Sequence, residues 1–172
     1  MIHRSIPLPP ALLKTATFLA PLLDATVLAP RAPRGSVGDI CPAGQRLAEY
    51  AFSARPAALR GRVTCSSAVY VAWDSRLACR YVGSVARGGP TAVPDRVAEH
   101  LDHSAAGRRK RSLWALLTVL PIGAAYSLET VRAAEGWAAR LLAPMDGSAH
   151  PRVDLAAPPI TLARLSLKEP QN

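Results

Sequence analysis

The sequence predicts an α+β domain in which a small three-stranded sheet, mixed or antiparallel, is flanked by helices. Three observations carry that expectation. Residues 67–73 (SAVYVAW) and 80–86 (RYVGSVA) are short runs rich in Val and aromatic side chains, joined by a short polar connection, which is the pattern of a hairpin. Residues 113–122 (LWALLTVLPI) form an apolar run ending at a proline, which suits a buried strand better than a short helix. Helical periodicity follows each of these units, at 94–107 and again at 127–144.

In the hairpin, alternation puts Val69, Val71 and Trp73 on one face and leaves Tyr70 on the other; on the second strand Tyr81 and Gly83 share a face. A glycine inside a strand weakens it, so Gly83 signals a close approach to the backbone. The next helix starts at Pro94, with Asp95 favoured by the positive end of the helix dipole. Its packing stripe is Val97, Ala98 and Leu101, while Arg96, His100 and His103 fall at i, i+4 and i+7 on another face; Gly107 ends it. A basic run, Arg108, Arg109, Lys110 and Arg111, precedes the apolar strand. Ser127 is placed to cap the last helix, with Glu129 in its first turn and Pro144 beyond its end. Leu128, Val131, Ala134, Ala138, Leu141 and Leu142 form its apolar face. Glu135 lies beside that face, either as a boundary residue reaching water or as a metal ligand.

The chain divides near residue 62. Residues 1–62 carry eight prolines, which limit helices to short pieces at 11–23 and 45–54 with a linker-like stretch at 31–39. This N-terminal extension of unknown role is expected to be a loosely packed cover, or else a targeting or specificity appendage. The main domain is expected at 63–155, and the proline-rich 156–172 reads as a peripheral tail.

Composition bounds the function. At 172 residues the chain can hold one domain with a real core. Twenty-one Lys+Arg against twelve Asp+Glu favour a polyanionic partner. The excess is mostly arginine, the bidentate phosphate binder, although a GC-rich coding sequence would enrich arginine as well. Cys41, Cys65 and Cys79 are odd in number and lack metal-ligand spacing, which argues against a disulfide framework and a structural zinc site and for a reducing, cytoplasmic setting. The first thirty residues are basic and apolar, but Lys14, Asp24 and several prolines interrupt them, unlike a secretory signal. No run is long and apolar enough to predict a membrane span, so no membrane partner is expected.

The order hairpin, helix, strand, helix, with AVY on the first strand, RYVGS on the second, Arg-x-x-x-His on the first helix and Glu on the last, resembles the GIY-YIG nuclease superfamily over about residues 67–152. The resemblance implies a metal-dependent DNA endonuclease of the small repair, mobile-element or phage type, with RNA not excluded. It makes Tyr70, Tyr81, Arg96, His100 and Glu135 catalytic. Glu135 would hold Mg²⁺ or Mn²⁺, Arg96 would grip a phosphate oxygen, and Tyr70 would activate the attacking water, with Tyr81 or His100 sharing that role. Gly83, Arg87, His103, Arg108, Arg109, Lys110 and Arg111 are then candidates for nucleic-acid contact. The pattern departs from the family in three places. Ala68 replaces the usual opening glycine, and the loop before Arg96 is long enough to make Arg87 a rival for the arginine role. The asparagine after the last helix has no clear counterpart, Asp146 or His150 standing nearest. Read singly, Tyr70 and Tyr81 are also ordinary sheet tyrosines, and a catalytically inactive nucleic-acid-binding protein on the same scaffold is the alternative.

Overall fold

A computed structural model describes residues 8–24, 27, 47, 49–102, 109, 111–147, 149–154 and 159. Its elements are helix α1 (Pro10–Leu19) with a 3₁₀ turn at Ala20–Leu22, strand β1 (Ala51–Ser53), a single helical turn α2 (Pro56–Leu59), the hairpin strands β2 (Ser67–Trp73) and β3 (Cys79–Ala86), helix α3 (Ala92–Asp102), strand β4 (Leu116–Pro121) and helix α4 (Leu128–Leu142). The fold is α+β, as expected, but the sheet has four strands rather than three, in the order β1-β4-β2-β3, and every pairing is antiparallel.

The added strand corrects the end of the helix expected at 45–54, of which Leu47 is helical and residues 51–53 are strand. Ala51, Phe52 and Ser53 pair with Thr118, Leu117 and Leu116. A helix of two or three turns is marginal by itself, whereas β4 offers an open row of backbone partners and a buried site on each face. Ala51 packs into one apolar cluster and Phe52 into the other.

The two clusters lie on opposite faces of the sheet. Val69, Val71 and Trp73 of β2 pack with Leu12, Ala16 and Leu19 of α1 and with Val131, Ala134 and Ala138 of α4. Ala68, Tyr70 and Ala72 face the other way, toward Leu59 of α2, Val93 and Val97 of α3, and Trp114. The result is three layers, with α1 and α4 on one side of the sheet and α2 and α3 on the other. Helix α1, in the segment expected to be a cover, supplies Leu12, Ala16 and Leu19, each essentially inaccessible to solvent. The linker-like 31–39 and the tail from 156 lie outside the described residues, apart from position 159.

Local chemistry explains the joints. Asp74 accepts the Arg76 and Ala78 amides on its carboxylate, at 2.8 and 3.0 Å, and so folds the DSRLAC connection into a turn. Ser127 caps α4 by accepting the Thr130 amide, as its position predicts. The α4 packing face differs from expectation at its two ends: Leu128 and Leu141 are half exposed, and the buried stripe runs through Val131, Ala134, Trp137, Ala138 and Leu142. β3 is the outer strand of the hairpin, at one edge of the sheet. Its first residues are covered by the chain after α4, where Met145 and Asp146 donate their amides to the Cys79 and Arg80 carbonyls. Arg80 and Asp146 lock that cover with a salt bridge of 2.8 Å. The far end of β3 is left open. Among the described residues, no helix is long and apolar enough to cross a membrane.

Candidate active site

The site is built at this open end of β3 and has two parts, an aromatic cluster beneath the sheet and a cleft at its edge. The cluster begins with Tyr70, which stands opposite Gly83 in the hairpin register. A Cβ added at Gly83 would sit 2.5 Å from the Tyr70 hydroxyl oxygen and 2.8 Å from the Tyr81 ring, so the glycine is required by the phenol that lies across it. The Tyr70 hydroxyl is 2.6 Å from His100 Nε2, and both groups are buried. Tyr81 stacks on Trp114 with centroids 5.4 Å apart and meets the His100 ring edge-to-face at 5.0 Å. Burial pushes both phenols above the ordinary tyrosine range, Tyr70 the further, while the nearby Arg96 guanidinium pulls each of them back down.

The cleft has a volume of about 660 Å³ and is walled by β3 from Ser84 to Arg87, by Arg96 of α3, by Leu128, Arg132 and Glu135 of α4, and by His150. Glu135 is its one carboxylate. It accepts a hydrogen bond of 2.5 Å from the Ser84 hydroxyl on one oxygen, and its other oxygen lies 3.3 Å from His150 Nδ1. Arg87 and Arg96 are both bridged by Glu99, with the Arg96 contact at 2.7 Å. These two guanidiniums hold the Glu99 carboxyl down at about 2. Three arginines thus surround a space floored by strand backbone.

The geometry brings some expected residues together and separates others. Arg96 and Glu135 line one cleft, and Arg87, the rival for the arginine role, lines it too. Tyr70, Tyr81 and His100 form the adjoining cluster and are not among the cleft-lining residues. Of the two counterparts considered for the missing asparagine, His150 reaches Glu135, whereas Asp146 is engaged by Arg80. Arg111 donates to the His100 carbonyl and so braces the end of α3, and Arg109 is exposed. His103, Arg108 and Lys110 lie outside the described residues. Cys65 and Cys79 are free thiols raised by burial to about 11 and about 12, which removes both as thiolate nucleophiles; Cys41 lies outside the described residues.

Three contributors were not anticipated. Ser84 and Arg132 line the cleft. Gly136 sits inside α4, where a Cβ would stand 2.5 Å from the Pro151 carbonyl oxygen. Its signal was present in the sequence, because glycine in a helix interior costs about 1 kcal/mol against alanine and calls for a packing reason.

Among the described residues, no three of His, Cys, Asp or Glu converge as a metal-binding set. A single carboxylate at the wall of an arginine-lined cleft suits a magnesium-type ion, which keeps several waters and shares substrate phosphate oxygens. Glu135 fits that arrangement. No protein-family model, curated protein or solved structure matches the chain.

Proposed function

We propose that this protein is a metal-dependent endonuclease of the GIY-YIG kind that hydrolyses DNA phosphodiester bonds in the edge cleft. The observation that carries the reading is the meeting of Arg87, Arg96 and Arg132 with the single carboxylate Glu135 around one cleft at the end of the tyrosine-bearing hairpin.

Each side chain has a role set by its chemistry. Arg96 and Arg132, from opposite walls, grip non-bridging phosphate oxygens through charge-assisted hydrogen bonds and cannot lose their protons at any working pH. Glu99 holds Arg87 and Arg96 in place without entering the cleft lining. Glu135 would hold Mg²⁺ or Mn²⁺ together with water, and such an ion supplies stabilisation of the charge that builds on phosphorus and the leaving oxygen. Ser84 and His150 orient the Glu135 carboxylate, as outer partners of metal-binding carboxylates do.

The tyrosines divide the proton handling. Tyr70 is fully buried, and burial keeps its phenol protonated, so it acts through its neighbours: it stands against His100 and beside Arg96. Tyr81 is only partly buried, and its ring lies 6.4 Å from that of His150 in the cleft wall, which makes it the phenol closer to an attacking water. Part of the upward push on Tyr81 comes from the Glu135 charge, after burial, and neutralising that charge would let the phenol lose its proton more easily, the step a phenol must take before it can act as a base.

A supercoiled-plasmid nicking assay with Mg²⁺ or Mn²⁺ tests the reading. Wild type is expected to nick only with metal, and Arg96→Ala and Glu135→Ala are each expected to lose about 10²-fold or more, the scale of removing one preorganised stabilising group. Binding of DNA by wild type without metal-dependent nicking would overturn the catalytic reading and leave the non-catalytic nucleic-acid-binding protein.

A further inference from the structure

We infer that the cleft continues along α4 into a second pocket, which seats further backbone phosphates of the strand held in the first. The inference rests on the nucleic-acid reading above. The second pocket has a volume of about 450 Å³ and is lined by Gly136, Ala139 and Arg140 of α4 and by the 150–153 segment, including Arg152. His150 and Pro151 wall both pockets, so the two are contiguous.

The helix presents them as one track. Arg132, Glu135, Gly136, Ala139 and Arg140 are spaced at i, i+3, i+4, i+7 and i+8, a single stripe on an α-helix. Arg132 and Arg140 are therefore about 12 Å apart along the axis at about 1.5 Å per residue, roughly the axial advance of three to four nucleotides in a duplex. Gly136 is what allows the track to form. With no side chain there, the Pro151 backbone and the Val153 side chain close onto the helix, and Arg152 is carried to the side of Arg140.

The charge pattern selects the ligand. No carboxylate lines the second pocket. Among the described residues neither Arg140 nor Arg152 is salt-bridged, in contrast to Arg80, Arg87 and Arg96. Both are exposed. Two guanidiniums facing a groove, with no Phe, Tyr or Trp among its lining residues, fit a phosphodiester backbone read without regard to base sequence.

The test is a fluorescence-anisotropy titration of a labelled 20-base-pair duplex with full-length protein in EDTA over a range of salt concentrations, comparing wild type with the Arg140→Ala/Arg152→Ala pair. A second pair, Arg55→Ala/Arg60→Ala, removes the same charge from exposed positions flanking α2, on the opposite layer. The slope of log K against log salt is expected to become shallower by about 1.8 in the Arg140/Arg152 pair, at about 0.9 per lost phosphate contact, and to stay at the wild-type value in the control pair. An unchanged slope in the Arg140/Arg152 pair, or the same change in both pairs, overturns the second pocket while leaving the first intact. Wild-type protein that shows no salt-dependent binding overturns the nucleic-acid reading itself. Inorganic phosphate competing at millimolar concentration as well as the duplex does would reduce the pocket to a simple anion site and also overturn the inference.

Discussion

The two faces of strand β2 are made by the same alternation and serve opposite ends. Val69, Val71 and Trp73 enter an apolar layer closed by α1 and α4, where the Trp73 indole is satisfied by Thr118 at 2.9 Å. Tyr70, one residue out of phase, enters a layer that also buries His100; among the described residues each layer leaves one buried indole nitrogen without a partner, Trp137 on the apolar side and Trp114 beside Tyr70, so the difference between the faces is the buried Tyr70–His100 pair. Burying polar groups costs stability unless they are paired, and an unsatisfied one costs about 1–3 kcal/mol. A fold that only needed a core would fill both faces as it fills the first. The polar face is the one next to the arginine-lined cleft, and that coincidence is what supports the proposed chemistry.

Substitutions on each face sharpen the contrast. The largest effect on stability is expected from the apolar side: Trp73→Ala should lose about 3–5 kcal/mol in urea unfolding, the usual cost of deleting a buried large aromatic. Next comes Gly83→Ala, which forces a methyl group within 2.5 Å of the Tyr70 oxygen. It should cost about 1–3 kcal/mol as an overpacked site and displace Tyr70 from His100, visible as altered histidine shifts in NMR spectra. Tyr70→Phe should cost about 1–2 kcal/mol because the buried hydrogen bond between the phenol and His100 Nε2 is lost, and a double-mutant cycle with His100→Leu should recover part of that loss. Additive costs in that cycle would show the two groups to be uncoupled.

The smallest effect belongs to Glu99. Its folded-state pKa is depressed from the ordinary 4.5 to about 2 by hydrogen bonds from Arg87 and then Arg96. A depressed carboxylate contributes stability that is fully present above about 4.5 and is lost as the pH falls toward 2. The carboxylate is solvent-exposed, so the contribution should be small and screened by salt. Acid titrations of wild type and Glu99→Gln at low and high salt should differ only in that window and only at low salt.

How much of this was legible in the sequence follows from how local each signal is. The hairpin and the Ser127 cap are set by neighbouring residues, α3 starts at Ala92, two residues before the expected Pro94, and Gly83 was legible as a glycine that needed a close approach, though not that Tyr70 supplies it. β1 was not legible, because its partner β4 lies some sixty residues away and short strands have no strong local pattern. Arg96 and Glu135 could be named from their order along the chain. Ser84, which orients Glu135, could not, because it reaches the carboxylate across 51 residues, whereas His150 was named only for its place after α4, not for its contact with Glu135. The base role first given to Tyr70 moves toward Tyr81 for a similar reason, since alternation tells which face a residue takes but not how deeply that face is covered.

The central claim is that the polar face and its cleft carry chemistry while the apolar face carries the fold. Glu135→Gln tests it most directly, with thermal midpoint and metal-dependent nicking rate measured on the same preparation. The account predicts a midpoint close to wild type, since glutamine keeps an oxygen for Ser84, together with a nicking rate lower by about 10²-fold or more. A nicking rate equal to wild type in a folded Glu135→Gln protein would contradict it.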